Sequence, residues 1–346
     1  MKKQIFILVM VLFAASTAFG QMKAGSAPQP LSCTPGPLNP IAGVPYDYAA
    51  TVVPANGNFT WWATKDVDFI KTTAGVATNN LSTKLSVGTD LTAASANYGI
   101  PGGPTNASTV SITWASATLA GTTPASPTFV VMQNDATGTN CANNLKVYQI
   151  NPVNGFTVDI KNMDQTKAAL AYAAPYSFCV SNIASAKYSG GAIVTDYGTS
   201  VMYFEVVAAN FSGGYTPSFQ VSGLQTGQAI TSVELYTDPA FATAPIATTL
   251  TAGVYSTAAP VTVDPSVTNT STGVSLYVKL TIANGTYETL TDEPITLAVN
   301  GTNTFGDKDV VNTDCVTKTD FEDTATQTLT ARPKVTAVAP GVFVTP

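Results

Sequence analysis

The sequence predicts an all-β fold of tandem antiparallel β-sandwich modules, and three observations carry the prediction. Apolar and polar side chains alternate with a period of two in short runs, which are separated by turns rich in Gly, Pro, Asn and Thr. The runs recur about every ten residues, the spacing of strands in a sandwich. Only 10% of the residues are charged while 45% are apolar, so short neutral side chains must cover the surface, as in exported β proteins and unlike helical cytosolic enzymes. A chain of 346 residues has room for two or three domains with cores of their own.

The amino terminus reads as an export signal. Lys2 and Lys3 precede an apolar run from Ile5 to Ala15, and Ala18, Phe19 and Gly20 supply the small-residue region before Gln21. The prediction is therefore an exported protein, extracellular or at the cell surface, with the periplasm as the alternative end point. No later stretch reaches the roughly 20 apolar residues of a transmembrane helix, so the mature chain is expected to carry no transmembrane segment. Lys2 and Lys3 leave with the signal, and the 21 acidic residues outnumber the remaining basic ones. That balance repels phosphate backbones, and nucleic acid is not an expected partner.

Residues 21–45 carry Pro28, Pro30, Pro35, Pro37 and Pro40, which deny a regular ladder and suggest an extended leader. A first module, 46–132, opens with strand patterns at Tyr46, Tyr48, Ala50 and Val52, at Phe59, Trp61 and Ala63, and at Val110, Ile112 and Trp114. In a second module, 133–223, residues 145–150 lead through Asn151-Pro152-Val153-Asn154-Gly155 into Phe156, Val158 and Ile160, the pattern of a hairpin. Residues 164–174 form the one helix candidate, ended by Pro175. A third module, 224–331, contains the clearest strand, residues 274–282, followed by Asn284-Gly285 and a return along 286–291, again a hairpin pattern. Further strands are expected at 202–208, 232–236 and 295–299. The tail, 332–346, is strand-like but broken by prolines.

Two of these stretches carry a resemblance. Residues 214–224, Gly-Tyr-Thr-Pro-Ser-Phe-Gln-Val-Ser-Gly-Leu, together with the block 274–301, resemble immunoglobulin-like or fibronectin-like modules of exported bacterial surface proteins. Tyr46 to Ala63, with its Tyr-x-Tyr and Phe-Thr-Trp-Trp strands, is similar to the PKD-like members of that group. The resemblance implies immunoglobulin-like sandwiches. It assigns no single function, because such modules serve adhesins, fibres, stalks and enzyme accessories.

Candidate site residues are few. Trp61 and Trp62 are neighbours on a strand and face opposite ways, so one indole can fill a core while the other forms a sugar-binding platform; the competing reading buries both, one in the sandwich and one under a loop or module contact. Asp307, Asp309 and Asp314 belong to an acidic stretch rich in turn residues, the oxygen chemistry that calcium selects, or else form a solvated acidic edge. Cys33, Cys141, Cys179 and Cys315 follow no metal-ligand spacing and suggest disulfides in an oxidising compartment; Cys141 with Cys179 is the favoured pair because both fall in one module, leaving Cys33 and Cys315 unassigned. The sequence contains no His and a single Arg, Arg332, which removes the usual proton shuttle. Loose carboxylate pairs remain, Asp66 with Asp68 and Asp292 with Glu293, and each also reads as solvated surface. The expectation is a non-enzymatic structural or adhesive surface protein, able to associate with other surface proteins or with itself as a subunit of an extracellular fibre or sheath, with a carbohydrate-binding accessory protein as the alternative and a glycan-degrading enzyme behind it. Within the tail, Val335, Ala337, Val342 and Val344 suggest a strand that either completes its own module or adds to a neighbouring subunit.

Overall fold

A computed structural model of the chain describes residues 35–41, 45–51, 58–64, 90–91, 108–114, 128–135, 144–151, 153–211, 213–262, 273–304, 306–309 and 320–334. All regular structure among the described residues is β, in a sandwich arrangement. The alternation of side chains explains why: in each long strand every second residue enters a core and its neighbours face out.

The amino-terminal part contains β1 (Pro45–Ala49), β2 (Asn58–Thr64), β3 (Asp90–Leu91), β4 (Thr109–Trp114), β5 (Thr128–Asp135) and β6 (Asn144–Ile150). One sheet has the order β1-β4-β3 and the other β2-β5-β6. Tyr48, Val110 and Ile112 from the first sheet share a core with Trp61, Val130, Met132 and Ile150 from the second. The Tyr148 hydroxyl donates to the Ala49 carbonyl at 2.9 Å and so ties β6 to β1. Part of the proline-rich leader belongs to this unit. Leu38 packs on the core, and the Tyr48 hydroxyl donates to the Pro37 carbonyl at 2.6 Å.

The carboxy-terminal part contains β7 (Thr157–Met163), β8 (Tyr176–Cys179), β9 (Ser185–Ser189), β10 (Ala192–Asp196), β11 (Thr199–Ala209), β12 (Tyr215–Ser222), β13 (Ala229–Tyr236), β14 (Ile246–Thr251), β15 (Val254–Thr257), β16 (Val274–Ala283), β17 (Glu293–Asn303) and β18 (Asp323–Thr330). Apart from β9 and β10, these strands run in one hydrogen-bonded order, β7-β11-β16-β13-β14-β15-β12-β17-β18-β8. Phe204, Leu276, Val278 and Leu235 from the first half meet Phe219, Leu297, Val299 and Leu329 from the second in one core, so the sheet folds over on itself through β14 and β15. The seam between β7 and β18 is joined by two buried amides. Gln327 of β18 donates to the Met163 carbonyl of β7 at 3.4 Å and, beyond it, to the Tyr203 carbonyl of β11 at 2.7 Å, and Asn162 of β7 donates to the Thr326 carbonyl at 2.9 Å.

Strand pairing groups the chain differently from the sequence-based cuts near Gln133 and Gly223. β5 runs straight through the first cut, and strands on either side of the second pair with each other, β11 with β16 and β12 with β17. Both predicted hairpins also separate. β6 pairs with β5 and β7 with β11, so the turn from Asn151 to Gly155 is the junction between the two cores. There Ile41 bridges Val153, and a Cβ at Gly155 would fall 2.3 Å from the Ile41 side chain, which leaves room only for glycine. Likewise β16 pairs with β11 and β13, not with a strand at 286–291. The physical reason is common to these cases: a turn signal is local, whereas partner choice depends on which apolar faces can share a core.

The expected helix at 164–174 is a pair of turns. The Asp164 carboxylate accepts from the Thr166 and Ala168 amides and from the Thr166 hydroxyl at 2.6–2.9 Å, and Lys167 and Ala173 have positive φ. A side chain that bonds its own backbone offers an alternative to the helix.

Candidate interaction surface

The strands β9 and β10 form a two-stranded sheet of their own. Gly190 and Gly191 connect them, both at positive φ, the geometry that two-residue hairpin turns require and that glycine accepts without steric cost. Tyr188 lies directly opposite Ile193. These two side chains are 78% and 76% exposed, which is far from the usual fate of large apolar groups.

The root of the hairpin is held firmly. Arg332, the only arginine of the sequence, donates from one guanidinium nitrogen to the Ser181 and Tyr197 carbonyls and lies 4.9 Å over the Tyr197 ring. From the other side, buried Asn284 donates to the Tyr197 carbonyl at 3.3 Å and to the Ser200 hydroxyl at 3.1 Å. Its own side-chain oxygen accepts from Gln228 at 3.2 Å. Gln228 also donates to Glu293, a buried carboxyl whose pKa is pushed up by desolvation, with Gln228 and Thr289 acting in the opposite direction. The hairpin is thus a firmly anchored projection, and the Asn284-Gly285 turn signal serves that anchorage.

A second surface covers the outer face of β7, β11, β16 and β13. Strand register lines up Lys161, Glu205, Tyr277 and Tyr236 in one row, with Met163, Tyr203, Lys279 and Glu234 in the next. Its charges answer one another: Lys161 meets Glu205 at 2.9 Å, and Lys279 meets Glu234 at 3.1 Å. Two loops close over the face. Phe241, at positive φ, packs against Tyr203, Tyr236 and Tyr277, and Lys167 reaches over Phe241 to donate to the Ala240 carbonyl at 2.8 Å. Asp238 organises the Phe241 loop by accepting from the Thr243 hydroxyl and from the Ala240, Ala242 and Thr243 amides. These bonds, that from the Thr243 hydroxyl foremost, lower its pKa to about 2. Sequence reasoning missed this face. Asp164-Gln165-Thr166 and Asp238-Pro239 are turn signals that could have located the loops, though not their meeting.

The sequence-predicted site residues fall elsewhere. Trp61 has no exposed surface and fills the amino-terminal core, so it offers no face to a sugar; the side chain of Trp62 lies outside the described residues. Asp307 and Asp309 are each 3% exposed, which replaces the solvated-edge reading of these two with a buried one. Asp307 accepts from the Asn303 amide group at 3.0 Å and donates its backbone N–H to Asn303 at 2.9 Å. Asp314 lies outside the described residues, among which no cluster of three or more potential metal ligands occurs. Cys179 is exposed with a free thiol, while Cys33, Cys141 and Cys315 lie outside the described residues, as do Asp66 and Asp68. Asp292 accepts from the Ala331 amide and Glu293 is buried. Among the described residues no helix is long and apolar enough to cross a membrane.

No family model matches the chain, and no curated protein matches it. Solved structures with some likeness include the major pilin subunit BcpA of Bacillus cereus, at 8% identity over 84% of this chain and 69% of that one, with a TM-score of 0.28. The full-length major pilin SpaD of Corynebacterium diphtheriae shares 9% identity over 87% of this chain and 63% of that one, with a TM-score of 0.26. The pilus protein RrgB of Streptococcus pneumoniae shares 14% identity over 75% and 45%, also at 0.26. At such TM-scores these likenesses assign no function, and the functional reading rests on the chain's own residues.

Proposed function

We propose that the chain is an exported structural or adhesive protein of the cell surface that acts by packing against other proteins, as a subunit of a self-assembling extracellular fibre or sheath. The observation that carries this reading is the anchored hairpin with Tyr188 and Ile193 exposed side by side. A projection that shows large apolar side chains to water is costly unless a partner covers it, and a root clamped by Arg332 and Asn284 limits the conformational freedom lost on docking. The export signal and the low charge support a surface role built on packing. The reading is non-enzymatic, and the paired lysines and carboxylates of the outer sheet face are engaged with one another.

The test is assembly of the purified mature protein, followed by light scattering and negative-stain microscopy. The parent is expected to form regular oligomers or filaments, and Tyr188→Ser/Ile193→Ser to remain monomeric with an unchanged melting temperature. A parent that stays monomeric at every concentration would sink the reading. Calcium at Asp307, Asp309 and Asp314 is a separate proposal. It requires a melting temperature that rises in millimolar Ca²⁺ and no longer does so in Asp307→Asn/Asp309→Asn.

A further inference from the structure

Three Asn-Gly pairs lie among the described residues, at 154–155, 284–285 and 300–301. The dipeptide has a chemistry of its own: glycine has no side chain to shield its nitrogen, which can attack the amide carbon of the asparagine before it. Folding orients the three asparagines differently. Asn284 is fully buried, and its side-chain oxygen accepts from Gln228. The Asn154 oxygen accepts from the Phe156 amide, one residue beyond the glycine, at 3.0 Å, while its amide group donates to the Lys308 carbonyl at 2.7 Å. Asn300 alone of the three turns its oxygen to the following glycine, whose N–H donates to Oδ1 at 2.7 Å.

The end of β17 explains why that N–H is available. Gly301 stands opposite Pro217 of β12, but its carbonyl accepts from the Asp309 amide at 3.4 Å, so its polar groups point away from β12. On that side the ladder to β18 ends at Val299. Packing requires glycine here, since a Cβ would fall 2.6 Å from the Val158 side chain. A carbonyl bond is about 1.2 Å long, so an oxygen 2.7 Å from the nitrogen keeps the amide carbon within about 4 Å of it, near the separation of a reacting pair. Asn300 Nδ2 donates to the exposed Asp320 carboxylate at 2.8 Å. That bond holds the amide in this orientation where water reaches it.

We propose that Asn300 is a modification site at which the folded chain deamidates itself. The Gly301 nitrogen loses its proton to solvent base and bonds to Asn300 Cγ, the Cγ–Nδ2 bond breaks, and ammonia leaves a cyclic imide. One water then opens the ring at either carbonyl, giving aspartate or isoaspartate at position 300. The new carboxylate faces Asp320, whose carboxylate accepted a hydrogen bond from the lost amide, so two like charges meet. It is also the first charge among the outward positions of β12, β17 and β18, which are otherwise Thr, Ser, Gln, Asn, Ala and Pro. Ageing thus writes a negative charge at one fixed place on a neutral sheet face, whether or not the protein assembles.

Label uptake from heavy-oxygen water tests it. The purified protein is held in mildly alkaline buffer with and without urea, and the peptides that contain the three Asn-Gly pairs are followed by mass spectrometry. In the folded protein Asn300 is expected to convert at least about tenfold faster than Asn154 and Asn284. In urea the three rates should converge, because the orientation that distinguishes them is lost. A rate at Asn300 no higher than those at Asn154 and Asn284 in the folded protein overturns the proposal. Suppression of Asn300 by folding as strong as that of Asn284 overturns it too, because the strand would then be holding the nitrogen and the amide carbon apart.

Discussion

Replacing Asn284 tests whether the hairpin root is a true structural hub. Asn284 is fully buried, and its side chain makes three hydrogen bonds, from Gln228, to Tyr197 and to Ser200. In Asn284→Ala each partner keeps another bond: Gln228 with Glu293, Tyr197 with Arg332, and Ser200 with Ser181. The loss is therefore close to the net worth of three bonds, about 1 kcal/mol each, plus a small cavity, or about 2–4 kcal/mol in all. Asn284→Asp keeps the shape but turns a donor into an acceptor against the Tyr197 carbonyl and buries a charge, so it should cost more than Ala at neutral pH. Its carboxyl pKa would be raised in the folded state. Stability of the Asp variant relative to Ala is therefore greatest below the ordinary carboxyl range, where a protonated oxygen can donate, and falls as pH rises through the folded value.

Urea unfolding followed by near-ultraviolet circular dichroism of the tyrosines reports this directly. Tryptophan fluorescence is a built-in control, since Trp61, Trp62 and Trp114 all precede the junction at Asn151; that transition should not move. An Ala variant within about 0.5 kcal/mol of the parent, or an Asp variant that matches Ala at every pH, would refute the reasoning.

Other expectations are as direct. Trp61→Ala removes the largest side chain of the amino-terminal core and should lower the fluorescence-detected stability, read through Trp62 and Trp114, by about 3–5 kcal/mol; a loss under 1 kcal/mol would contradict its burial. Glu293→Gln should raise the melting temperature at neutral pH and flatten its pH dependence. The folded pKa of Glu293 is raised by burial, so its stabilising contribution is present at low pH and lost as pH rises through that value. Arg332→Lys keeps the charge but not the planar donor, and should speed exchange in 185–196 nearly as much as Arg332→Ala, by an amount worth about 2 kcal/mol; full rescue by Lys would show that charge alone suffices. Tyr215→Phe should leave stability unchanged or raise it by about 1 kcal/mol, because the buried Tyr215 hydroxyl finds no partner among the described residues; a thermal melt decides.

The sequence by itself determined what depends on near neighbours in the chain. The alternation in 274–282 became β16, whose even-numbered residues from Leu276 to Ile282 are buried, and the strands expected at 59–63, 110–114, 202–208, 232–236 and 295–299 are all present. Period-two patterning needs only a local window, so the all-β class could be read without a fold. Tertiary structure decided which strands meet. Asn284-Gly285 looked like the turn of a hairpin, yet β16 lies between β11 and β13, because burying Leu276, Val278 and Leu280 required faces from elsewhere in the chain. The same holds for the hairpin that carries the proposed function. Tyr188 and Ile193 look like ordinary strand residues, and only the absence of a covering layer over β9 and β10 among the described residues leaves them in water. The one arginine gains its meaning in the same way: Ser181 and Tyr197 lie 151 and 135 residues before Arg332, and no pattern along the chain links positions so distant until folding sets the Arg332 guanidinium against both carbonyls.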